Sequence, residues 1–179
     1  MTWRTTAGLA CAALFAAWAA PAAAHIVFEQ KQATAGTYFK GTLMVGHGCN
    51  GSATRAITVT MPESVHGAHP QPKPGWKLDV GRVAVPDPFE SHGKVMREDV
   101  RTLRWHGGSI ADAQFDEFSF LARLPDTPGK LYFAVRQECE NGTTEWSQVP
   151  AEGQSLHDLK TPAAVLELLP PEQSRASAH

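Results

Sequence analysis

The 179-residue sequence carries 16 basic residues against 18 acidic ones, and 42% of it is apolar. That near-neutral balance, with no basic stretch interleaved with aromatics, argues against nucleic acid as a partner. The length is one domain's worth of chain, enough to bury a hydrophobic core without staples.

In chain order, Arg4, the apolar run at residues 9–18 and the triplet Ala22-Ala23-Ala24 are the three parts of a cleavable secretory signal, so residues 1–24 are expected to be removed. The apolar run is short for a spanning helix of about 20 residues, and Pro21 and the small-residue triplet follow it directly. His25 then becomes the first residue. Residues 25–170 read as one domain and 171–179, without apolar pattern, as a flexible tail. No later apolar run is long enough to cross a bilayer, so the expected location is the periplasm or the cell exterior.

Export also organises the cysteines. Cys11 leaves with the leader, and Cys49 and Cys139 remain as an even pair in a compartment where disulfides persist. A metal or redox site is the rival reading, but no Cys-x-x-Cys is present.

The segments that follow show period two, with Gly, Pro and Asn between them. In "TYFKGTLMV", Phe39, Leu43 and Val45 share one face; in "RAITVTM", Ile57, Val59 and Met61 do. Similar runs are expected as strands at 25–30, 76–83, 100–105, 115–124, 131–138, 143–149 and 163–168. The proline-rich residues 62–75 are expected to form a connector or an edge excursion. Asn141-Gly142 is a tight-turn signal joining 131–138 and 143–149 into a hairpin. About nine short strands indicate an all-β protein, a single immunoglobulin-like or cupredoxin-like β-sandwich.

A histidine at the amino terminus offers two nitrogens that an internal one cannot, the free α-amine and Nδ1 of the same residue, which can chelate one metal ion. Nitrogen ligands in a plane suit Cu(II). On an extended strand His25, Val27 and Glu29 point the same way, so Glu29 is the nearest carboxylate on that face. Its Cα would lie ~13 Å from that of His25 in a straight strand, so direct ligation needs a bend. Phe118 and Phe120 read as core, which leaves Glu117 on the outer face with Phe115 and Leu121. His66, His69, His92 and His106 sit in polar or proline-rich stretches expected to be loops. His47 lies beside the cysteine pair, either as a structural residue or close to a site there.

The stretch "HIVFEQKQATAGTYFKGTLMVGHGCNGSATRAITVTMPE", followed in order by "PKPGWKLDV", "RWHGGSIADAQFDEFSFLARLP", "LYFAVRQECENGTTEWSQVP" and "HDLKTPAAVLELLP", resembles the YcnI-like family of exported copper-binding domains. The resemblance covers nearly all of the chain after residue 24. It implies an immunoglobulin-like sandwich that binds one Cu(II) through a single-histidine brace at the processed amino terminus, with a carboxylate and a nearby tryptophan. Carried over by position, the brace is His25 and the tryptophan is Trp146 of "TEWSQ". Some relatives carry a second glutamate three places after the Glu29 position, where this chain has Gln32. Glu29 is then one candidate carboxylate, with Glu117 of "FDEFSF" and Glu145 beside Trp146 as alternatives.

The expected function is Cu(II) binding in copper homeostasis or delivery, without catalysis, the partners being the copper ion and other exported copper-handling proteins. The alternatives are a copper-dependent oxidative enzyme, or a metal-free exported interaction domain. Met44, Met61 and Met96 are dispersed, so the thioether clusters that select Cu(I) are missing.

Overall fold

The computed structural model describes residues 25–171; the expected leader and the tail beyond Pro171 lie outside them. Eleven strands occur among the described residues: β1 (Val27–Phe28), β2 (Gln32–Thr34), β3 (Tyr38–Val45), β4 (Thr54–Thr60), β5 (His66–Pro70), β6 (Lys77–Ser91), β7 (Lys94–Ile110), β8 (Asp116–Arg123), β9 (Gly129–Cys139), β10 (Thr143–Trp146) and β11 (Ala164–Leu169). A short 3-10 turn at Leu156–Asp158 precedes β11. No described helix is long and apolar enough to cross a membrane.

Two sheets face each other across the core. The smaller has the order β1-β3-β8-β5, and the larger β2-β11-β9-β4-β7-β6, with β10 paired to β9. The alternation read from sequence explains the packing. On β3, Phe39, Leu43 and Val45 are buried, and on β4, Ile57 and Val59. Phe28 packs edge-on against Phe39, Phe120 and Phe133, with ring centroids at 5.9, 6.2 and 5.0 Å. Such edge-to-face contacts are the favoured geometry of aromatic pairs. Trp105 is fully buried beside Phe118 and donates its indole N–H to the Gln71 carbonyl at 2.9 Å.

Three expectations need correction. Residues 76–83 and 100–105 are not two short strands but parts of one long hairpin, β6–β7, of 15 and 17 residues. Pro86 and Pro88 obscured its middle. They are tolerated because β6 is an edge strand, and the register slips between Ala84 and Phe89. The expected strand at 25–30 shrinks to Val27–Phe28, because the chain leaves the smaller sheet there and joins the larger one as β2, parallel to β11. His66, His69 and His106 lie on strands rather than in loops, and His92 occupies the β6–β7 turn with a φ of 49°.

The expected hairpin is present: Thr143 pairs with Glu138 and Trp146 with Val135 across the Asn141-Gly142 turn. Residues 62–75 contain the edge strand β5, paired to β8. Cys49 and Cys139 form a disulfide with a Cα–Cα distance of 5.8 Å, tying the chain after β3 to the end of β9.

Candidate metal centre

The region of interest lies at the end of the sandwich where β1 begins and β3 and β9 finish. Trp146 enters it from β10. Its parity partner on β9 is the buried Val135, so the indole points inward and is only 5% exposed. The half-buried ring of His25 meets this indole edge-on, with centroids 6.0 Å apart and planes at 62°. A second imidazole, that of His47, meets the same indole at 6.4 Å and 69°. The structure thus brings the rings of His25 and His47 against the indole of Trp146.

A buried amide holds the cluster. Gln137 continues the inward row Phe133, Val135 on β9 and is 1% exposed. Its Oε1 accepts from Trp146 Nε1 at 2.9 Å, while its Nε2 donates to the His47 carbonyl at 2.7 Å and to Thr54 Oγ1 at 2.8 Å. Every polar atom of that side chain is satisfied, as a buried amide requires. The His47 ring is oriented by its own loop: Nδ1 hydrogen-bonds the Gly48 carbonyl. A carbonyl only accepts, so in the neutral ring Nδ1 carries the proton and Nε2 the lone pair.

On its other side His25 borders a cavity of about 330 Å³ between β1 and β11. Ile26, Phe28, Ala163 and Val165 supply apolar walls, and Lys31, Lys130, His157 and Glu167 supply the polar groups. Glu167 is the one carboxylate of this lining, and it accepts from the Gln32 amide at 2.8 Å. Sequence reasoning passed over Glu167; the available signal was its outward parity on β11, between the buried Leu166 and Leu168.

The other carboxylates are placed as follows. Glu29 is exposed just after β1, its N–H donating to the Thr42 carbonyl at 2.9 Å. Glu117 is exposed on the outer face of β8 opposite Met44, which in turn faces Val27, and it lines a separate cleft with Lys40, Lys73 and Asp116. Glu145 is exposed and ion-paired with Arg136 at 2.8 Å. Arg136 also bonds Glu138, whose other partner is Arg104. Partial burial would raise the Glu138 carboxyl, but these two guanidinium groups hold it below the usual carboxylate value. Among the described residues no three His, Cys, Asp or Glu side chains form a ready-made metal cage.

A second polar cluster lies at the opposite margin, under the β6–β7 hairpin. The Asp99 carboxylate, 2% exposed, takes His66 Nδ1 at 2.8 Å, the Gly67 N–H at 3.0 Å and the Val100 N–H at 2.7 Å, with Arg101 at 3.4 Å. Burial pushes this carboxyl up, yet the hydrogen bonds from His66, Gly67 and Val100 and the Arg101 charge outweigh it, so its pKa is lowered.

The described residues therefore form an immunoglobulin-like β-sandwich with a histidine–indole pair at one open end. A solved structure of an uncharacterized protein from Nocardia farcinica, described as an immunoglobulin-like fold, superposes with a TM-score of 0.61 at 26% identity, covering 80% of this chain and 97% of that one. The family described as Domain of unknown function (DUF1775) matches residues 25–168, and the chain belongs to that family, the YcnI-like family its motifs resemble. Copper-binding protein CutI of Bacillus subtilis (strain 168) is 26% identical over 131 residues, 72% of this chain. The chain spans 57% of the length of that relative.

Proposed function

We propose that this protein is an exported Cu(II)-binding protein of the periplasm or cell exterior, holding copper as cargo through a brace formed by His25 after removal of residues 1–24. The single observation that carries the reading is the contact of His25 with Trp146 at 6.0 Å, at the open end of the sandwich. The similarity to a copper-binding protein supports it.

The donors suit the ion. Cleavage before His25 would free an α-amine beside an imidazole that is half-buried rather than enclosed, and two nitrogens from one residue favour Cu(II) over harder cations. Because both donors come from His25, a cage of three metal-binding side chains is not required. The buried indole would shield one flank of the ion from water. His25, Trp146, and one of Glu29, Glu117 or Glu145 as the carboxylate make up the proposed site, with Glu167 as a further candidate because it lines the His25 cavity. An α-amine titrates near ~8, so metal must displace its proton and binding weakens as the solution is acidified. The role is binding and hand-over to other exported copper-handling proteins rather than catalysis.

Intact mass and Cu(II) EPR test this on the exported protein, beside a form with one alanine inserted before His25. A native mass starting at His25, one Cu(II) per chain with a nitrogen-rich signal, and loss of that signal in the extended form are the expected results. Equal binding by both forms, or none by either, overturns the brace.

A further inference from the structure

We infer that His47 supplies a second imidazole to the copper held by His25, binding through Nε2. The inference rests on the copper reading above and extends it to a residue outside the single-histidine brace.

Register directs the two histidines to the same end of the sandwich. Val27 pairs with Met44 and Phe28 with Leu43 on antiparallel strands. Continuing that register past the strand end sets His25 opposite Gly46, next to His47 in the chain. Both rings then lean edge-on against one indole, at 6.0 and 6.4 Å. A single residue, Trp146, thereby positions both.

The tautomer is already the one a metal needs. With Nδ1–H given to the Gly48 carbonyl, the neutral His47 ring keeps its lone pair at Nε2, the arrangement by which an outer hydrogen bond prepares a ligating imidazole. The loop carrying it is fixed at every residue. Gln137 Nε2 donates to the His47 carbonyl at 2.7 Å, the Gly48 N–H donates to Asp112 Oδ1 at 3.1 Å, and Cys49 is bonded to Cys139. Gly48 itself is obligatory, since a Cβ there would sit 1.7 Å from the Ser52 carbonyl oxygen. A ligand held this way loses little freedom when it binds.

Three of the carboxylates have partners or surroundings of their own. Glu167 is held by Gln32 and Glu145 by Arg136, and Glu117 lines another cleft. The α-amine, His25 Nδ1 and His47 Nε2 together would give three nitrogens, a set that matches the planar preference of Cu(II).

Pulsed EPR of the processed protein with one equivalent of Cu(II) counts coordinated imidazoles by their remote nitrogens. The wild-type protein is expected to show two. His47→Ala, and His47→Phe, which keeps a ring against Trp146, are expected to show one and to bind Cu(II) at least tenfold more weakly, with the metal-free fold checked by circular dichroism. A single-imidazole spectrum in the wild-type protein overturns the inference even if neither variant folds. An alanine inserted before His25 separates the two levels. If it abolishes the copper signal while the wild-type spectrum shows one imidazole, only the role of His47 fails; if it changes nothing, the copper reading itself fails.

Discussion

The indole N–H of Trp146 donates to Oε1 of Gln137 at 2.9 Å, inside a core where Gln137 is 1% exposed. This bond aims the indole at His25 and His47, and it explains why an amide occupies an inward position on β9. Trp146→Phe keeps the ring and removes the donor. The stranded carbonyl oxygen should cost about 1–3 kcal/mol, read as a lower urea midpoint. Cu(II) should quench part of the tryptophan fluorescence of the native protein, and in the variant, where Trp76 and Trp105 remain, that component should be gone.

Gly48→Ala forces a Cβ onto the Ser52 carbonyl, with backbone rather than a flexible side-chain tip in the way. The loop must shift, and overpacking of this kind costs on the order of 1–3 kcal/mol. The expected outcome is a lower melting temperature together with copper binding weaker than in the parent. Unchanged affinity at reduced stability would detach the loop from the site.

The Cys49–Cys139 disulfide spans 90 positions of sequence. In the chain-entropy model a loop of that size contributes about 4–5 kcal/mol. Cys49→Ser with Cys139→Ser should lower the unfolding free energy by a comparable amount, read as a lower denaturation midpoint. Because Cys49 follows His47 by two residues, the pair should also raise the Kd for Cu(II). Chemical reduction of the native protein should reproduce the loss of stability.

Asp99 contributes to the acid side of stability, together with Glu138. Its folded pKa lies below the ordinary value, so its contribution is fully present above the unfolded value of about 3.9 and is lost as pH falls through the lowered folded value. Thermal melts from pH 7 down to pH 2 should show this loss beginning below about pH 4. Asp99→Asn removes the charge from His66 and Arg101 and should destabilise by on the order of 3 kcal/mol at neutral pH, with a shallower decline in acid.

Period-two alternation sufficed for most of the sandwich: β3, β4, β8, β9 and β11 stand where their buried residues alternate. It failed on the extent of β6–β7, where prolines and an irregular register break the pattern and no residue of the edge strand β6 is buried. The pairing of His25 with Trp146 followed from motif position and not from spacing, since the two residues are 121 positions apart in sequence. His47 was visible only as a neighbour of a cysteine. Its relation to Trp146 depends on the β1–β3 register and the β9–β10 hairpin together, which no local pattern encodes. Glu167 was missed for the opposite reason, because an outward acid on a strand is ordinarily just solvated.

The parallel pairing of β2 with β11 joins residues 32–34 to residues 167–169, and β11 in turn lies between β2 and β9. The last strand among the described residues is therefore the one that fills the gap in the larger sheet. Until it arrives, one side of β9 at Gly129–Phe133 has no partner, and its bare N–H and C=O groups can recruit a strand from another molecule. Folding order is thus imposed by topology: the β6–β7 hairpin can form early from neighbours in sequence, whereas closure of the sheet waits for β11. A chain cut before Ala164 would stay open at that edge, and its fate would be set by how fast it meets a second copy.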